Sequence, residues 1–175
     1  MNQLNFKAEL FTNGHVVLDG SSFIGFFDIA NINFKTREYT ANKENLPDQN
    51  DNLIEKGLSI IHHEIAREFL EPYVEHYSFS SRPMWESSPG HHKLWHSDAA
   101  EKDQLFFLLY FTDQVATNDG ALRIKVSNKE YRYLPFPGLM IAMENTQTDW
   151  MHMVESASSK RVVASLGFRD IIWKN

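Results

Sequence analysis

From Tyr77 to the end of the chain, short apolar runs alternate with turn signals roughly every eight to twelve residues, the signature of a sandwich or barrel of strands. The runs are Phe79 to Glu86, Lys93 to Asp98, Leu105 to Thr112, Ala121 to Val126, Tyr131 to Leu134, Leu139 to Met143, Met151 to Glu155 and Arg161 to Phe168. Between them lie Ser-Pro-Gly at 88 to 90, Asn-Asp-Gly at 118 to 120 and Pro-Phe-Pro-Gly at 135 to 138, residues that favour turns and interrupt helices. The expected fold is mainly β, a jelly-roll sandwich or double-stranded β-helix, with a helical N-terminal support.

That support is readable in one place. From Leu53 onward, Ile54, Leu58, Ile61, Ile65 and Phe69 fall at spacings of three and four, which predicts an amphipathic helix ending near Pro72 and covering one outer face of the sandwich. His62 and His63 sit on it beside Glu64, but adjacent helical residues point about 100° apart and do not share a metal easily. They read as ordinary flank residues. Before the helix, Thr40 to Asn52 reads TANKENLPDQNDN, nearly all polar, and predicts a surface loop, either a connector or a lid. Earlier still, His15 to Leu18 and Phe23 to Ile29 are apolar runs that fit helix or strand equally.

The chain has 175 residues, 42% of them hydrophobic, enough for one well-filled core and too few for two ordinary domains. A single domain over 1–175 is expected, with supporting strands and helix in 1–77 and the jelly-roll core in 78–175. The net charge of -6 offers nothing to attract phosphate backbones or anionic lipid, so the expected partner is a small molecule or a peptide, not nucleic acid or membrane. Met1 to Phe11 has no continuous apolar core of signal-peptide length, and no apolar run approaches the roughly 20 residues that span a bilayer. A soluble, cytoplasmic protein is the expectation; oligomeric state leaves no trace. There is no cysteine, so disulfides, thiolate metal sites and a cysteine nucleophile are excluded, and any metal must be held by His and carboxylate.

His96 and Asp98 form a His-x-Asp pair in a strand context, where residues two apart face the same way and reach one ion. Alone, such a pair is a weak signal. His152 lies on a later run; two imidazoles and a carboxylate would form a facial set that leaves positions of an octahedral metal open. Taken alone, His152 also fits a structural histidine inside the sandwich. Arg161 opens the last run, on the side that continues as Val163, Ser165 and Gly167, while Val162, Ala164, Leu166 and Phe168 take the other side. A guanidinium at the mouth of a cavity lined by small residues can hold a carboxylate through two parallel hydrogen bonds. An exposed charge at a strand end is the plainer reading of the same residue.

In order and spacing, WHSD at 95 to 98, LLYFT at 108 to 112, DGALRI at 119 to 124, LPFPGLMIAMEN at 134 to 145 and HMVESASSKR at 152 to 161 resemble the core of the iron(II) and 2-oxoglutarate-dependent oxygenases, prolyl-hydroxylase type. The resemblance runs from Trp95 to Phe168. It implies that His96, Asp98 and His152 bind Fe(II), that Arg161 binds the C5 carboxylate of 2-oxoglutarate, and that Tyr110 and Leu122 line the co-substrate pocket. Tyr110 and Leu122 equally fit the core. The implied reaction uses dioxygen, releases succinate and carbon dioxide, and hydroxylates an aliphatic carbon of a peptide residue, free amino acid or small metabolite. In related halogenating enzymes a small residue replaces the carboxylate ligand, so Asp98 favours hydroxylation. Two positions depart from the family: Trp85 and Glu86 stand where a tyrosine is common, and Val163 where a small or hydroxylated residue is common.

Two other classes stay open. A cupin-like isomerase or hydrolase would use the same ligands with zinc, manganese or nickel and without 2-oxoglutarate. A non-catalytic binding protein would keep only the fold. Substrate specificity resides in loops such as Ala41 to Asp51, Ser87 to His92 and Ala99 to Lys102, which carry no readable code; His91 and His92 fit substrate contacts near the site entrance, but read more plainly as exposed turn residues.

Overall fold

The computed structural model describes residues 6–28, 34–39, 42–47, 52–80, 83–98, 103–146 and 150–175. Helix α1 (Phe6–Asn13) leads into β1 (His15–Asp19) and the short α2 (Ser21–Ile24), so the first ambiguous early run is strand, while of the second only Phe23 and Ile24 are helical and residues 25–28 are turn and irregular. Residue 29, the end of the second run, lies outside the described residues. A hairpin of β2 (Phe34–Tyr39) and β3 (Asn42–Pro47) precedes α3 (Asn52–Ile65), whose last turns widen into a π-helix over Ala66–Leu70. The strands β4 (Val74–Phe79), β5 (Met84–Ser87), β6 (Lys93–His96), β7 (Leu105–Tyr110), β8 (Leu122–Val126), β9 (Lys129–Tyr133), β10 (Leu139–Glu144), β11 (Trp150–Val154) and β12 (Arg161–Trp173) follow.

The strands form two antiparallel sheets. The larger is eight-stranded, ordered β1-β10-β7-β12-β5-β3-β2 with β4 also on β12, and the smaller is four-stranded, ordered β6-β11-β8-β9. Facing each other, they make the expected double-stranded β-helix.

Alternation along the strands of the larger sheet divides the interior into two cores. Val162, Ala164, Leu166 and Phe168 of β12, with Leu105, Phe107 and Leu109 of β7, turn outward onto α3, where Ile54, Leu58, Ile61 and Ile65 are buried against them. Phe106, Leu108 and Tyr110 of β7, Ile141 and Met143 of β10 and Val163 of β12 turn inward onto Leu122, Ile124, Val126 and Trp150 of the smaller sheet. The predicted helical stripe is therefore the buried one, and the predicted alternation on β12 separates the two cores.

Four sequence expectations need correction. Thr40 to Asn52 is not one loop: Asn42–Pro47 is β3, paired with β2 and β5, and Asn52 begins α3, while residues 40, 41 and 48–51 lie outside the described residues. Its polar composition hides a strand whose stability comes from its sheet neighbours, as tertiary context commonly overrides propensity. The run Phe79 to Glu86 is two strands, β4 and β5, laid along successive parts of β12. Asp98 lies beyond the end of β6, not within it. His62 is no flank residue: it is buried, its Nε2 lies 2.9 Å from the carbonyl oxygen of Gly167, and its ring packs edge-on against Phe79 and Phe168. Among the described residues, no helix is long and apolar enough to cross a membrane.

Candidate metal centre

The two sheets enclose a cavity of about 280 Å3 whose lining includes His96, Asp98, His152, Tyr110, Leu122 and Arg161. Every residue singled out for metal or co-substrate in the sequence faces this one space.

His96 and His152 are brought together by pairing: they stand directly opposite each other on β6 and β11, with ring centroids 4.1 Å apart. Asp98 turns back toward both just after β6. One carboxylate oxygen is 3.6 Å from His96 Nε2 and the other 3.5 Å from His152 Nε2. One ligand atom from each residue lies within 4.8 Å of the other two. The separations exceed a hydrogen bond and fit three donors around a cation.

The surroundings of the two histidines agree with that use. His96 Nδ1 lies 2.7 Å from the carbonyl oxygen of Leu94, and since a carbonyl only accepts, Nδ1 carries a hydrogen and Nε2 is the ring nitrogen left to meet a metal. His152 is buried, and burial, with help from the charges of His96 and Lys93, lowers its pKa to about 3. It is neutral at ordinary pH, the form that ligates. Its Nδ1 is buried with no hydrogen-bond partner among the described residues. Two imidazoles and a carboxylate, without sulfur, suit iron(II), manganese or zinc and do not choose among them.

At the far end of the cavity, Arg161 opens β12 opposite Ser87 of β5 and is only 4% exposed. Its Nη1 donates to the carbonyl oxygen of Gly120 at 2.9 Å. Gly120 has φ +66, and a Cβ there would meet Ala157 Cβ at 2.7 Å, so the turn at 118 to 120 requires glycine in order to present that carbonyl. Arg161 is thus a buried cation aimed into a cavity, not an exposed strand-end charge. Tyr110 lies beside it: burial raises the phenol pKa to about 12 against the opposing pull of Arg161, so Tyr110 keeps its hydrogen and can donate it. Leu122 is buried, lines the cavity and packs in the inner core, which unites both readings given to it. The residues fit a small dicarboxylate held at one end by Arg161 and Tyr110 and at the other by a metal.

The two departures from the family pattern meet here, since Trp85 and Val163 pair directly and both line the cavity. Further lining residues separate the two readings of the turn histidines and add members that the sequence did not single out. His91 is not an exposed turn residue: it is 8% exposed and lines the cavity, whereas His92 remains exposed. Lys93, whose Nζ lies 5.9 Å from the Trp85 ring centroid, Asp103, Asn145 and Ser165 add to the polar wall. Asp103 enters because Gly167 makes room: a Cβ at 167 would stand 2.2 Å from a carboxylate oxygen of Asp103. A two-residue alternation places Gly167 on the cavity side, but nothing local announces which distant carboxylate uses the space. Residues 99–102, counted among the candidate specificity loops, lie outside the described residues.

A jelly roll with a His-x-Asp…His set in its mouth and a buried arginine inside is the arrangement that the sequence resemblance implied. No protein-family model matches the chain, and no curated protein matches it in sequence. Solved structures do. An oxidoreductase of the 2OG-Fe(II) oxygenase family from Burkholderia pseudomallei aligns over 100% of this chain and 94% of its own, with TM-score 0.73 and 13% identity. A prolyl hydroxylase from Trichoplax adhaerens, in complex with a hypoxia-inducible-factor peptide fragment, covers 96% of this chain and 89% of its own, at TM-score 0.64 and 13% identity. SnoN, a non-heme alpha-ketoglutarate-dependent epimerase from nogalamycin biosynthesis, covers 96% and 82% at TM-score 0.71 and 11% identity. The fold of this chain is the prolyl-hydroxylase-like fold of the 2OG-Fe(II) oxygenases.

Proposed function

We propose that the chain is, as a single domain, an iron(II)- and 2-oxoglutarate-dependent dioxygenase that hydroxylates an aliphatic carbon of a small molecule or peptide residue. The observation that carries this reading is the pairing, in one cavity, of a two-histidine, one-carboxylate cluster with a buried guanidinium. A metal hydrolase or isomerase has use for the first; the two together suit a chelating keto acid with a distal carboxylate.

His96, Asp98 and His152 are assigned to iron(II) and Arg161 to the C5 carboxylate. When bound, the metal and 2-oxoglutarate supply the oxidising power: dioxygen is consumed, 2-oxoglutarate becomes succinate and carbon dioxide, and a substrate carbon gains a hydroxyl group. The chain's own residues bind, orient and exclude. Arg161 offers charge in a fork that matches a carboxylate, and Tyr110 adds a neutral donor. The inner core residues Leu108, Leu122 and Val163 wall the space between with hydrocarbon, which limits water and strengthens the charge pairing at its end.

Incubation of the iron(II)-loaded protein with a panel of peptides, amino acids and small metabolites, scored by succinate formed above the substrate-free background, tests the proposal. Substrate-stimulated succinate with an equal amount of hydroxylated product supports it. Stimulated succinate with an isomerised product would keep the oxygenase chemistry and replace hydroxylation by epimerisation, the activity named for SnoN. Absence of 2-oxoglutarate turnover, with retained metal, would point to the cupin-like hydrolase or isomerase.

A further inference from the structure

Asp98 stands outside the strand that orients its neighbour His96, because β6 ends at His96. Its main chain needs another support, and Asn145, the residue following β10, provides one. Asn145 Nδ2 donates to the carbonyl oxygen of Asp98 at 3.0 Å and to the carbonyl oxygen of Asp103 at 2.9 Å. Both amide hydrogens are thereby used. The partners also settle which way round the amide lies, since reversal would set an acceptor against two acceptors.

Asn145 is itself held firmly. Its backbone N–H donates to the carbonyl oxygen of Gln104 at 2.8 Å, and Glu144 before it pairs with Leu105 in the β10–β7 ladder. The side chain is 4% exposed, and its Oδ1 is buried without a hydrogen-bond partner among the described residues. The geometry matters because of where the anchors lie: His96 and His152 belong to the smaller sheet, whereas Asn145 extends from the larger one.

We infer that Asn145 is a positioning residue for the metal centre, a brace from the larger sheet that fixes the main chain of Asp98 so that its carboxylate meets the two histidines. The inference rests on the proposed function only in taking His96, Asp98 and His152 as ligands of a divalent metal. Outer-shell partners of this kind typically contribute about 10- to 100-fold in metal affinity.

The test uses cobalt(II) as the probe, in the full chain, with Asn145→Asp and Asn145→Ala. Asn145→Asp keeps the shape and removes both donors; Asn145→Ala removes the amide. Each is expected to weaken cobalt(II) binding by about 10- to 100-fold and to alter the visible cobalt spectrum, while the circular dichroism of the metal-free protein stays that of the parent. A merely structural role would lower thermal stability and leave cobalt affinity and spectrum of the folded protein as they were. Cobalt affinity within about twofold of the parent in both variants overturns the inference. Should neither variant fold, the unmutated protein decides by reciprocity, because a brace that favours metal binding is favoured by metal. Zinc(II) should then slow hydrogen exchange at the Asn145 side-chain amide, and unchanged exchange overturns the brace. A parent that binds cobalt(II) but not 2-oxoglutarate sinks the oxygenase reading and leaves the brace standing.

Discussion

The proposed metal ligands are held by two devices, which differ in how visible they are from residues alone. Pairing across β6 and β11 sets His96 against His152, so the order and strand context of the two histidines were legible. Asp98 was placed in a strand by its spacing, yet it lies beyond β6 and owes its position to Asn145, a contact between distant residues that no local pattern announces. Alanine at His96, Asp98 or His152 is expected to weaken divalent metal binding by more than about 100-fold, the upper end of what outer-shell partners contribute. His62→Ala and His63→Ala are expected to keep it; His62→Ala nevertheless lowers stability, because its buried ring bonds Gly167 and packs on Phe168. Metal titration and thermal melts of the five variants check both statements. Retained metal in His152→Ala would remove it from the ligand set.

Strand β12 decides the site at the scale of elements. Its odd-numbered positions from Arg161 to Ser165 look into the cavity, and Val162, Ala164, Leu166 and Phe168 look onto α3. That two-residue alternation was readable, as was the three-and-four spacing of α3, because each is a local period imposed by burial on one side. The β2–β3 hairpin and the break between β4 and β5 were not, since polar strands at the margin of a sheet depend on their partners and carry no such period. The division of labour on β12 has a testable consequence. Ile61 of α3 is fully buried on the outer side, so Ile61→Ala should cost about 2–5 kcal/mol of stability. Metal affinity of the folded protein should stay within about a factor of two, as for independent distant sites. Chemical denaturation and metal titration measure the two; a parallel loss of both would mean that the sheet transmits packing defects into the site.

Across the whole molecule, the two sheets are joined by His15 of β1 and Tyr133 of β9, with His15 Nε2 2.6 Å from the tyrosine oxygen. His15 Nδ1 lies 2.9 Å from the carbonyl oxygen of Asn13, and Tyr131 packs edge-on against the ring at 4.5 Å. Burial lowers the pKa of His15 below its ordinary 6.5, so in the window between the folded and unfolded values the unfolded chain binds the extra proton. Stability from this group is therefore present above about pH 6.5 and declines as pH falls toward the folded value. Between pH 7 and pH 5 the loss from His15 reaches at most about 2 kcal/mol, at 1.36 kcal/mol per pH unit. In His15→Asn, the fall in denaturation free energy over that interval should be smaller than in the parent; an equal fall would show that the clasp titrates no differently from a free histidine. The fold class was legible because turn signals and short runs leave few alternatives for a chain of this length. The clasp between sheets was not, since it joins residues 118 positions apart in the sequence.

The central claim is that one cavity holds a metal at His96, Asp98 and His152 and the far carboxylate of 2-oxoglutarate at Arg161. Anaerobic titration of the iron(II)-loaded protein with 2-oxoglutarate, followed by the charge-transfer absorption of the chelate, measures it directly in the parent and in Arg161→Ala. Removing the guanidinium takes away a charge-assisted contact in a mostly buried setting, which costs about 2–5 kcal/mol. At 1.4 kcal/mol per factor of ten, the expected loss of 2-oxoglutarate affinity is roughly 30-fold to several thousand-fold, with iron(II) affinity nearly unchanged. Arg161→Lys should recover only part, because an ammonium supplies charge without the planar fork. A parent that shows no chelate absorption, or an Arg161→Ala variant that binds 2-oxoglutarate as tightly as the parent, would contradict the account.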